Sequence, residues 1–458
     1  MPHVAIDPRS GDTLLEVAST TLNDAHEAAA RAHGAHGPWW ASGFDERAAR
    51  VRALAEGLRT GREELANRMA AEMGKPLAEG RAEVEKCAWV CEYYAEHAAS
   101  FLAEHPAPTG ALRSGWVYRP LGVVLGILPW NFPLWQVFRF AAPTLMAGNA
   151  VLIKPAPGVP GCALDTQRLL DDAGLPAGLV STLFLEVEDI GDLIDDPHVS
   201  AVTLTGSVAA GRAVAARAGR ALKKTVLELG GSDPAVVLSD APVATAAAEC
   251  VRSRMLNGGQ SCIAAKRFVV VDALHDAFVE AVVGEMEARA MGDPLETGTE
   301  LGPLARVDLR DSLHEQVMRS LEAGARLRLG GRVPEGPGAW YPPTVLTDVG
   351  PGMPAYDEEM FGPVASVIRA RDDEDAIRIA NDTAFGLGAS VFTRDVDRGE
   401  AIARDRLAAG ACFVNGLVRS DPRLPFGGVG ISGYGRELSP LGIREFVNAK
   451  TVWVDEAR

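Results

Sequence analysis

Residues 122–155 read GVVLGILPWNFPLWQVFRFAAPTLMAGNAVLIKP, and this stretch decides the fold. An apolar run ends at Pro129, a helical pattern follows over 134–147, and a second apolar run leads into Lys154. Strands that are apolar along their whole length and alternate with helices are typical of a parallel sheet covered by helices on both faces. The stretch therefore predicts an α/β fold.

The same alternation continues on the carboxyl side. Helices are expected near 161–173 and over 208–221, each after another apolar run. A second series of strands and helices extends over 234–394. We place a domain boundary between the two series, near Gly230 and Gly231.

The two ends of the chain have different patterns. Residues 4–17, VAIDPRSGDTLLEV, predict two short strands around a turn, and 23–102 predict helices. The tail KTVWVDEAR, 450–458, has a β-like pattern without a partner nearby in the sequence. We expect it to join a sheet edge elsewhere, in another subunit.

Composition limits the function classes. The 458 residues suffice for several domains, and a net charge of −16 disfavours nucleic acid, whose phosphates require clustered Lys and Arg. Six cysteines are too few for a disulfide framework in a chain of this length. No apolar run is long enough to span a membrane and no signal peptide is visible, so we expect a soluble cytoplasmic protein.

Cys262 stands in LNGGQSCIAAKR, 256–267, where small residues replace the large apolar neighbours of a packing cysteine. Nucleophilic chemistry requires a thiolate, which a histidine usually generates. None of the nine histidines lies in a glycine-rich or motif-like segment, which weakens the interpretation as a hydrolase that pairs Cys262 with His275 or His314. A buried structural cysteine remains the alternative.

Two polar residues could serve the same chemistry. Glu228 interrupts an apolar strand just before two glycines, and burial there would suit a general base or a structural ion pair. Asn131 lies in a rigid turn at the carboxyl end of a strand, where ligands bind in open α/β sheets. Its amide could stabilise an oxyanion or merely cap the next helix.

Gly206 and Ser207 fall between a strand and a helix, so backbone N–H groups there could hold a pyrophosphate. The glycines at 428, 430 and 433 have dinucleotide-binding spacing but lack the strand and helix around them, and they predict a turn-rich loop. Cys87 and Cys91 lie on one predicted helix face without a second pair of ligands, so no metal site is expected.

Taken together, the motifs resemble those of the NAD(P)-dependent aldehyde dehydrogenase family, and of its bacterial succinate-semialdehyde dehydrogenases most closely. The motifs occur in order along the whole chain: PWNFP, KPA, TGS, LELGG, GQSC, EEMFGPV and PFGGVGISGYGRE. The resemblance implies two Rossmann-like parallel-sheet domains and a small β flap for oligomerisation. The implied bounds are a cofactor-binding domain at 1–101 and 121–230, a catalytic domain at 231–426, and the flap at 102–120 and 441–458.

The resemblance also implies roles for individual residues. Cys262 would be the nucleophile, Glu228 the general base, and Asn131 with the Cys262 backbone N–H the oxyanion hole. A thiohemiacetal and a thioester would form on Cys262 while hydride passes to the cofactor. The cofactor would contact Trp130, Lys154, Pro157, Gly206, Ser207, Leu229, Glu359 and Phe361.

The implied cofactor is NADP or NAD, with NADP favoured. Many relatives have a glutamate three residues after the ribose-binding lysine, where it repels a 2′-phosphate. Pro157 occupies that position here, so Lys154 would be available to the phosphate.

The implied substrate is an aldehyde with a distal carboxylate, bound by Arg139 and Ser420. Arg139 could instead pair with a structural carboxylate. Some relatives have a second arginine where this chain has Leu256, and Arg419 or Arg254 could replace it. A homodimer or homotetramer is implied. The alternatives are a broad-specificity or CoA-acylating aldehyde dehydrogenase, a cysteine hydrolase, and a non-catalytic cofactor-binding protein.

Overall fold

A computed structural model describes residues 2–457. The strands are β1 His3–Ile6, β2 Thr13–Val17, β3 His105–Pro106, β4 Arg113–Pro120, β5 Val123–Ile127, β6 Ala150–Lys154, β7 Val180–Thr182, β8 Val199–Thr205, β9 Lys224–Glu228, β10 Pro234–Val237, β11 Arg267–Val271, β12 Arg326–Leu329, β13 Thr344–Thr347, β14 Val364–Ala370, β15 Gly388–Phe392, β16 Ala411–Val414, β17 Gly433–Tyr434 and β18 Val447–Val454.

The α-helices alternate with these strands over most of the chain. They are α1 Leu22–Ala41, α2 Gly43–Thr60, α3 Arg62–Met73, α4 Leu77–Phe101, α5 Trp135–Met146, α6 Pro160–Asp172, α7 Ile190–Asp195, α8 Val208–Arg220, α9 Val243–Met255, α10 Asp272–Glu287, α11 Val307–Glu322, α12 Pro354–Asp357, α13 Asp373–Asn381, α14 Val396–Asp405 and α15 Ser439–Ile443. Two 3₁₀ turns cover Leu256–Gly259 and Gly430–Ser432.

The first sheet has the strand order β17-β9-β8-β5-β6-β7. Strands β5 to β9 run parallel, and every residue of β5 and β6 is buried, as the unbroken apolar runs predict. The chain proceeds from β5 to β6 and β7 on one side, then returns to β8 and β9 on the other. A crevice therefore opens at the carboxyl ends of β5 and β8, where open α/β sheets bind ligands.

The second sheet has the order β12-β13-β14-β11-β10-β15-β16, and only β12 runs antiparallel to its neighbour. Apolar clusters cover its two faces. A third, larger cluster joins the first sheet to α1 through α8. The two α/β sheets that the sequence predicts are thus present.

The third sheet has the order β18-β4-β3 and corresponds to the predicted flap. The tail joins a sheet edge far away in the sequence, as expected. That edge lies in its own chain, since β18 pairs with β4 antiparallel from Val447 opposite Pro120 to Val454 opposite Arg113. A strand more than 300 residues away in the chain leaves no signal in the local pattern. The exact domain bounds remain a prediction, and their outermost positions, 1 and 458, lie outside the described residues.

β17 is antiparallel to β9, so the glycine-rich loop at 428–433 closes the edge of the first sheet. Among residues 2–457, none of the helices combines the length and the apolar character needed to cross a bilayer.

Candidate active site

The Cys262 side chain borders a cavity of about 160 Å³ between α4, α5 and the loop at 417–420. Drug-sized ligands occupy pockets of roughly 300–1,000 Å³, so this cavity suits a molecule of a few carbon atoms. Phe132, Trp135 and Phe426 form apolar parts of the wall, and no histidine of the described chain lines it.

The Cys262 loop is built on left-handed backbone. Asn257, Gly258 and Gly259 have φ of 56°, 61° and 76°, a conformation that glycine adopts without steric cost. Gln260 Oε1 then accepts the backbone N–H of Ala305 at 2.9 Å. The Gly-Gly-Gln run therefore turns the chain sharply and anchors it just before the nucleophile.

Asn131 is tied directly to this loop. Its Nδ2 donates to the backbone oxygen of Gln260 at 3.0 Å, and its own backbone oxygen accepts Asn257 Nδ2 at 2.7 Å. One amide hydrogen of Asn131 is thus used for positioning, and the same nitrogen has a second hydrogen that can be donated to another acceptor.

The alternative role of Asn131 as a helix cap is wrong. The backbone N–H groups of Leu134 and Trp135, at the start of α5, both donate to Glu83 Oε1 at 3.0 and 2.9 Å. Glu83 is buried on α4 and also pairs with Lys75. The sequence offered no signal for this cap, since Glu83 lies some fifty residues earlier in an unremarkable helical pattern.

Glu228 ends β9 and is buried, with 2% of its surface exposed. Its backbone oxygen accepts the N–H of Gly206 at 2.9 Å, but neither carboxylate oxygen has a hydrogen-bond partner among residues 2–457. Burial and the nearby Glu437 raise the pKa of Glu228 well above its usual value, against the opposing charges of Arg139 and Arg436. A buried carboxyl group whose pKa is raised in this way is suited to exchange a proton.

Gly231 brings the strand of Glu228 up to the Cys262 loop. A Cβ at this position would lie 2.6 Å from the backbone oxygen of Cys262, so only glycine allows the approach. The two predicted catalytic residues are thus held on neighbouring segments.

The Cys262 thiol is protonated at rest. Burial raises its pKa to about 12, with Glu359 and Asp233 acting in the same direction and Lys266 and Arg139 in the opposite one. His275 contacts Asp276 and His314 contacts Tyr341, away from the cavity. The structure therefore does not support the histidine-activated hydrolase.

The predicted pyrophosphate residues lie at the crevice of the first sheet. Ser207 caps α8, where its Oγ accepts the N–H of Ala210 at 3.2 Å, and a Cβ on Gly206 would touch only Leu204. The open helix N-terminus fits an anionic phosphate. Lys154, at the carboxyl end of neighbouring β6, is buried, and burial lowers its pKa.

Two of the residues that are predicted to lie near the nicotinamide contact each other. The rings of Trp130 and Phe361 meet edge to face at 5.9 Å. Glu359 points inward, where its Oε1 accepts the Gly231 N–H at 3.0 Å and lies 3.5 Å from Lys266 Nζ. A ribose contact by Glu359 would require this hydrogen bond to be exchanged.

Two further predicted cofactor residues lie on opposite sides of the crevice. Leu229 packs against α8 at Gly211, and Pro157 is exposed just beyond β6. Their contacts within the chain are compatible with the predicted roles, which remain predictions.

Arg139 reaches the cavity wall, but its guanidinium is paired with Glu437. It also donates to Thr205 Oγ1 at 3.3 Å and lies over the Phe426 ring at 4.8 Å. The structural carboxylate that the sequence left open as an alternative is therefore present. Ser420 lines the same cavity, and its Oγ accepts Lys86 Nζ at 2.7 Å.

Of the two arginines considered as replacements at Leu256, only Arg419 lines the cavity, near its exposed rim. Arg254 is fully buried and donates to the backbone oxygens of Gly259 and Met360, so its assignment as a replacement is wrong. The cavity cation that the sequence analysis missed is Lys86, which the four-residue periodicity of α4 does not distinguish from a surface lysine.

The known proteins that this chain resembles belong to one family. The profile of the aldehyde dehydrogenase family matches residues 3–452. The succinate semialdehyde dehydrogenase [NAD(P)+] Sad of Escherichia coli K12 is 46% identical over 452 residues, covering 99% of this chain and 98% of that protein. The succinate-semialdehyde dehydrogenase [NADP(+)] 1 of Mycobacterium tuberculosis H37Rv is 46% identical over 457 residues, covering 99% of this chain and all of that protein. The crystal structure of succinic semialdehyde dehydrogenase from Streptococcus pyogenes in complex with NADP+ superposes with a TM-score of 0.96 at 34% identity, covering 99% of this chain and 100% of that one.

Proposed function

This chain belongs to the aldehyde dehydrogenase family, and on that premise we propose that it oxidises succinate semialdehyde to succinate, with NADP preferred over NAD as the hydride acceptor. One observation carries the choice of substrate. The small cavity beside Cys262 has three cations in its wall, Lys86, Arg139 and Arg419, although the chain as a whole is strongly acidic. Such a wall favours an aldehyde whose far end is a carboxylate.

The chemistry starts at the sulfur. Cys262 loses its proton as it attacks the carbonyl carbon, since burial disfavours a free thiolate. Glu228, on the segment that Gly231 brings against the Cys262 loop, accepts this proton in its ionised form. The sulfur–carbon bond forms, and the carbonyl oxygen becomes an oxyanion that the remaining Asn131 amide hydrogen and the Cys262 backbone N–H stabilise. One such donor contributes about 3–4 kcal/mol to transition-state stabilisation.

Collapse of the thiohemiacetal leaves a thioester on Cys262. A bound nicotinamide supplies the acceptor for the hydride that leaves the substrate carbon. Glu228 first releases to solvent the proton that it took from Cys262. It then takes a proton from water as the hydroxide adds to the thioester carbon, and it returns that proton to the sulfur as cleavage of the carbon–sulfur bond releases the acid.

The residues at the crevice fit a dinucleotide. Gly206 and Ser207 offer a helix N-terminus for the pyrophosphate, Trp130 and Phe361 offer aromatic surface, and Lys154 offers a cation. The charge of Glu186 acts on Lys154, but among residues 2–457 Lys154 forms no salt bridge. With Pro157 in place of an acidic residue, Lys154 can pair with a 2′-phosphate, which supports the preference for NADP.

We also propose a cytoplasmic location and a homodimer or homotetramer. All six cysteines are free and four are buried, which suits a reducing compartment. The flap has exposed large side chains, among them Trp116 and Trp453, that another subunit could cover.

The test is an initial-rate screen of succinate semialdehyde and butanal with NADP and with NAD, using Cys262→Ser as the blank. We expect kcat/KM to be at least tenfold higher for succinate semialdehyde and higher with NADP. Equal values for the two aldehydes would indicate a broad-specificity enzyme, and product formation that depends on CoA would indicate the acylating class. Either result would refute the proposal.

A further inference from the structure

Lys86 projects from α4 into the cavity that Cys262 borders. Its Nζ donates to Ser420 Oγ at 2.7 Å and lies 4.3 Å from the centre of the Trp135 ring. The side chain is half-buried between α4, α5 and the loop that carries Ser420. A lysine in such a place is held over the substrate pocket and does not reach bulk water freely.

The anionic groups near Lys86 are already occupied. Glu83, one turn earlier on α4, pairs with Lys75 and caps α5. Asp421 pairs with Arg423 at 2.7 Å. Within residues 2–457, no carboxylate lies within ion-pair distance of Lys86.

The other two cavity cations are in a different situation. The charge of Arg139 is compensated by Glu437, and a negative ligand would have to compete with that buried pair. Arg419 is exposed at the rim, where solvent screens its charge. Lys86 is the cation of this wall that combines partial burial with an uncompensated charge.

An uncompensated ammonium group in a partly apolar pocket is costly. Burial, followed by the charge of Arg139, lowers the pKa of Lys86 to about 8, while Cys87, Glu83 and Asp421 act to raise it. An anion that docks on Nζ removes this cost, so the site gains more from a carboxylate than an exposed lysine would.

We propose that Lys86 Nζ, together with the Ser420 hydroxyl, binds the distal carboxylate of the aldehyde and determines the selectivity for carboxylated substrates. The inference rests on the proposed function and names the residue responsible for it. Some relatives have a second substrate-binding arginine at the position of Leu256. Here Lys86, on α4, supplies the cation instead.

The first test compares Lys86→Met, which keeps an unbranched stem over Trp135, with Lys86→Arg, which keeps the charge. We expect the ratio of kcat/KM for succinate semialdehyde to that for butanal to fall about 10- to 100-fold in Lys86→Met, as expected for the loss of a hydrogen bond to a charged group. The loss should appear mainly in KM. Lys86→Arg should recover at least part of the ratio.

Arg326→Met is the matched control, since it removes one positive charge from an exposed position on β12 that does not line the cavity. Its ratio should equal that of the wild type. An unchanged ratio in Lys86→Met, in an enzyme whose wild type prefers the carboxylated aldehyde, overturns the inference alone. A wild type without that preference overturns the proposed function.

A second test needs no variant and remains available if Lys86→Met fails to fold. Only protonated Lys86 binds the carboxylate, so KM for succinate semialdehyde should rise as the pH passes through about 8, approaching tenfold per pH unit above it. KM for butanal should not follow this rise. Identical pH profiles of KM for the two aldehydes from pH 7 to 9.5 would overturn the inference.

Discussion

Cys262 and Glu228 are two weak acids whose pKa values are both raised by burial. The thiol has a pKa of about 12, and the carboxyl group has a pKa well above its usual value because of burial and Glu437. With that pKa the thiol is uncharged at neutral pH, which protects it from adventitious reaction. The buried carboxyl group has a thermodynamic consequence as well as a catalytic one.

Glu228→Gln should lower activity and raise stability at alkaline pH. The pKa of Glu228 is higher in the folded than in the unfolded protein, so the wild type loses stability as the pH rises from the unfolded value of about 4.3 towards the folded value. Glutamine has no such loss, and the difference in Tm between variant and wild type should grow from pH 5 to pH 8. Removing a general base should lower kcat about 10²–10⁴-fold.

Glu322→Gln on exposed α11 serves as the control, with no pH-dependent change in Tm and with normal kcat. Thermal melts and initial rates at each pH provide both readings. A difference in Tm between Glu228→Gln and the wild type that does not vary with pH would contradict the buried, unpaired state of this carboxyl group.

At the scale of elements, the active site depends on close approaches between loops. The connection from β9 to β10 passes so near the Cys262 loop that Gly231 has no room for a side chain. The turn before Cys262 needs the left-handed conformations of Gly258 and Gly259. Because of these glycines, two rigid sheets hold the Cys262 sulfur in one position. Catalysis requires such positioning of the reacting atom.

Gly231→Ala should displace the nucleophile. The added methyl group would meet the Cys262 backbone oxygen at 2.6 Å, so the loop must shift, and we expect kcat to fall at least tenfold. Gly350→Ala is the control, because its Cβ would meet no atom within 4 Å, and kcat should not change. Steady-state kinetics test both variants, and a wild-type kcat in Gly231→Ala would show that the approach is not restrictive.

At the scale of the whole molecule, two parallel sheets supply the site and a three-stranded flap projects from them. The flap buries little of its own apolar surface, as Leu112, Val452 and Trp453 are exposed by 60%, 42% and 54%. Exposed apolar edges of this kind require cover to avoid unspecific association. We attribute the cover to a second copy of the chain.

Trp453→Glu should weaken the proposed assembly, since a carboxylate would then be buried against a second copy of the chain. We expect a smaller molar mass by light scattering at micromolar concentration, with far-ultraviolet circular dichroism like that of the wild type. Val396→Glu, on exposed α14, should leave the molar mass unchanged. An unchanged assembly in Trp453→Glu would place the interface away from this strand.

Much of the fold follows from local pattern. The helices predicted over 134–147, 161–173 and 208–221 lie at Trp135–Met146, Pro160–Asp172 and Val208–Arg220. Strand and helix periodicity is a property of neighbouring residues, so the sequence determines it directly. Cys262, Glu228 and Asn131 are candidates for the same reason, because each has an unusual residue type for its immediate surroundings.

Only the tertiary structure decided which distant residues meet. It joined β18 to β4, capped α5 with Glu83, paired Arg139 with Glu437 and turned Lys86 into the cavity. Some of these contacts join segments that lie far apart in the chain. The others depend on which face of a helix another element covers. Burial and charge compensation are set by such neighbours, so the ionisation and specificity of the site emerge only when the sheets, helices and loops have packed together.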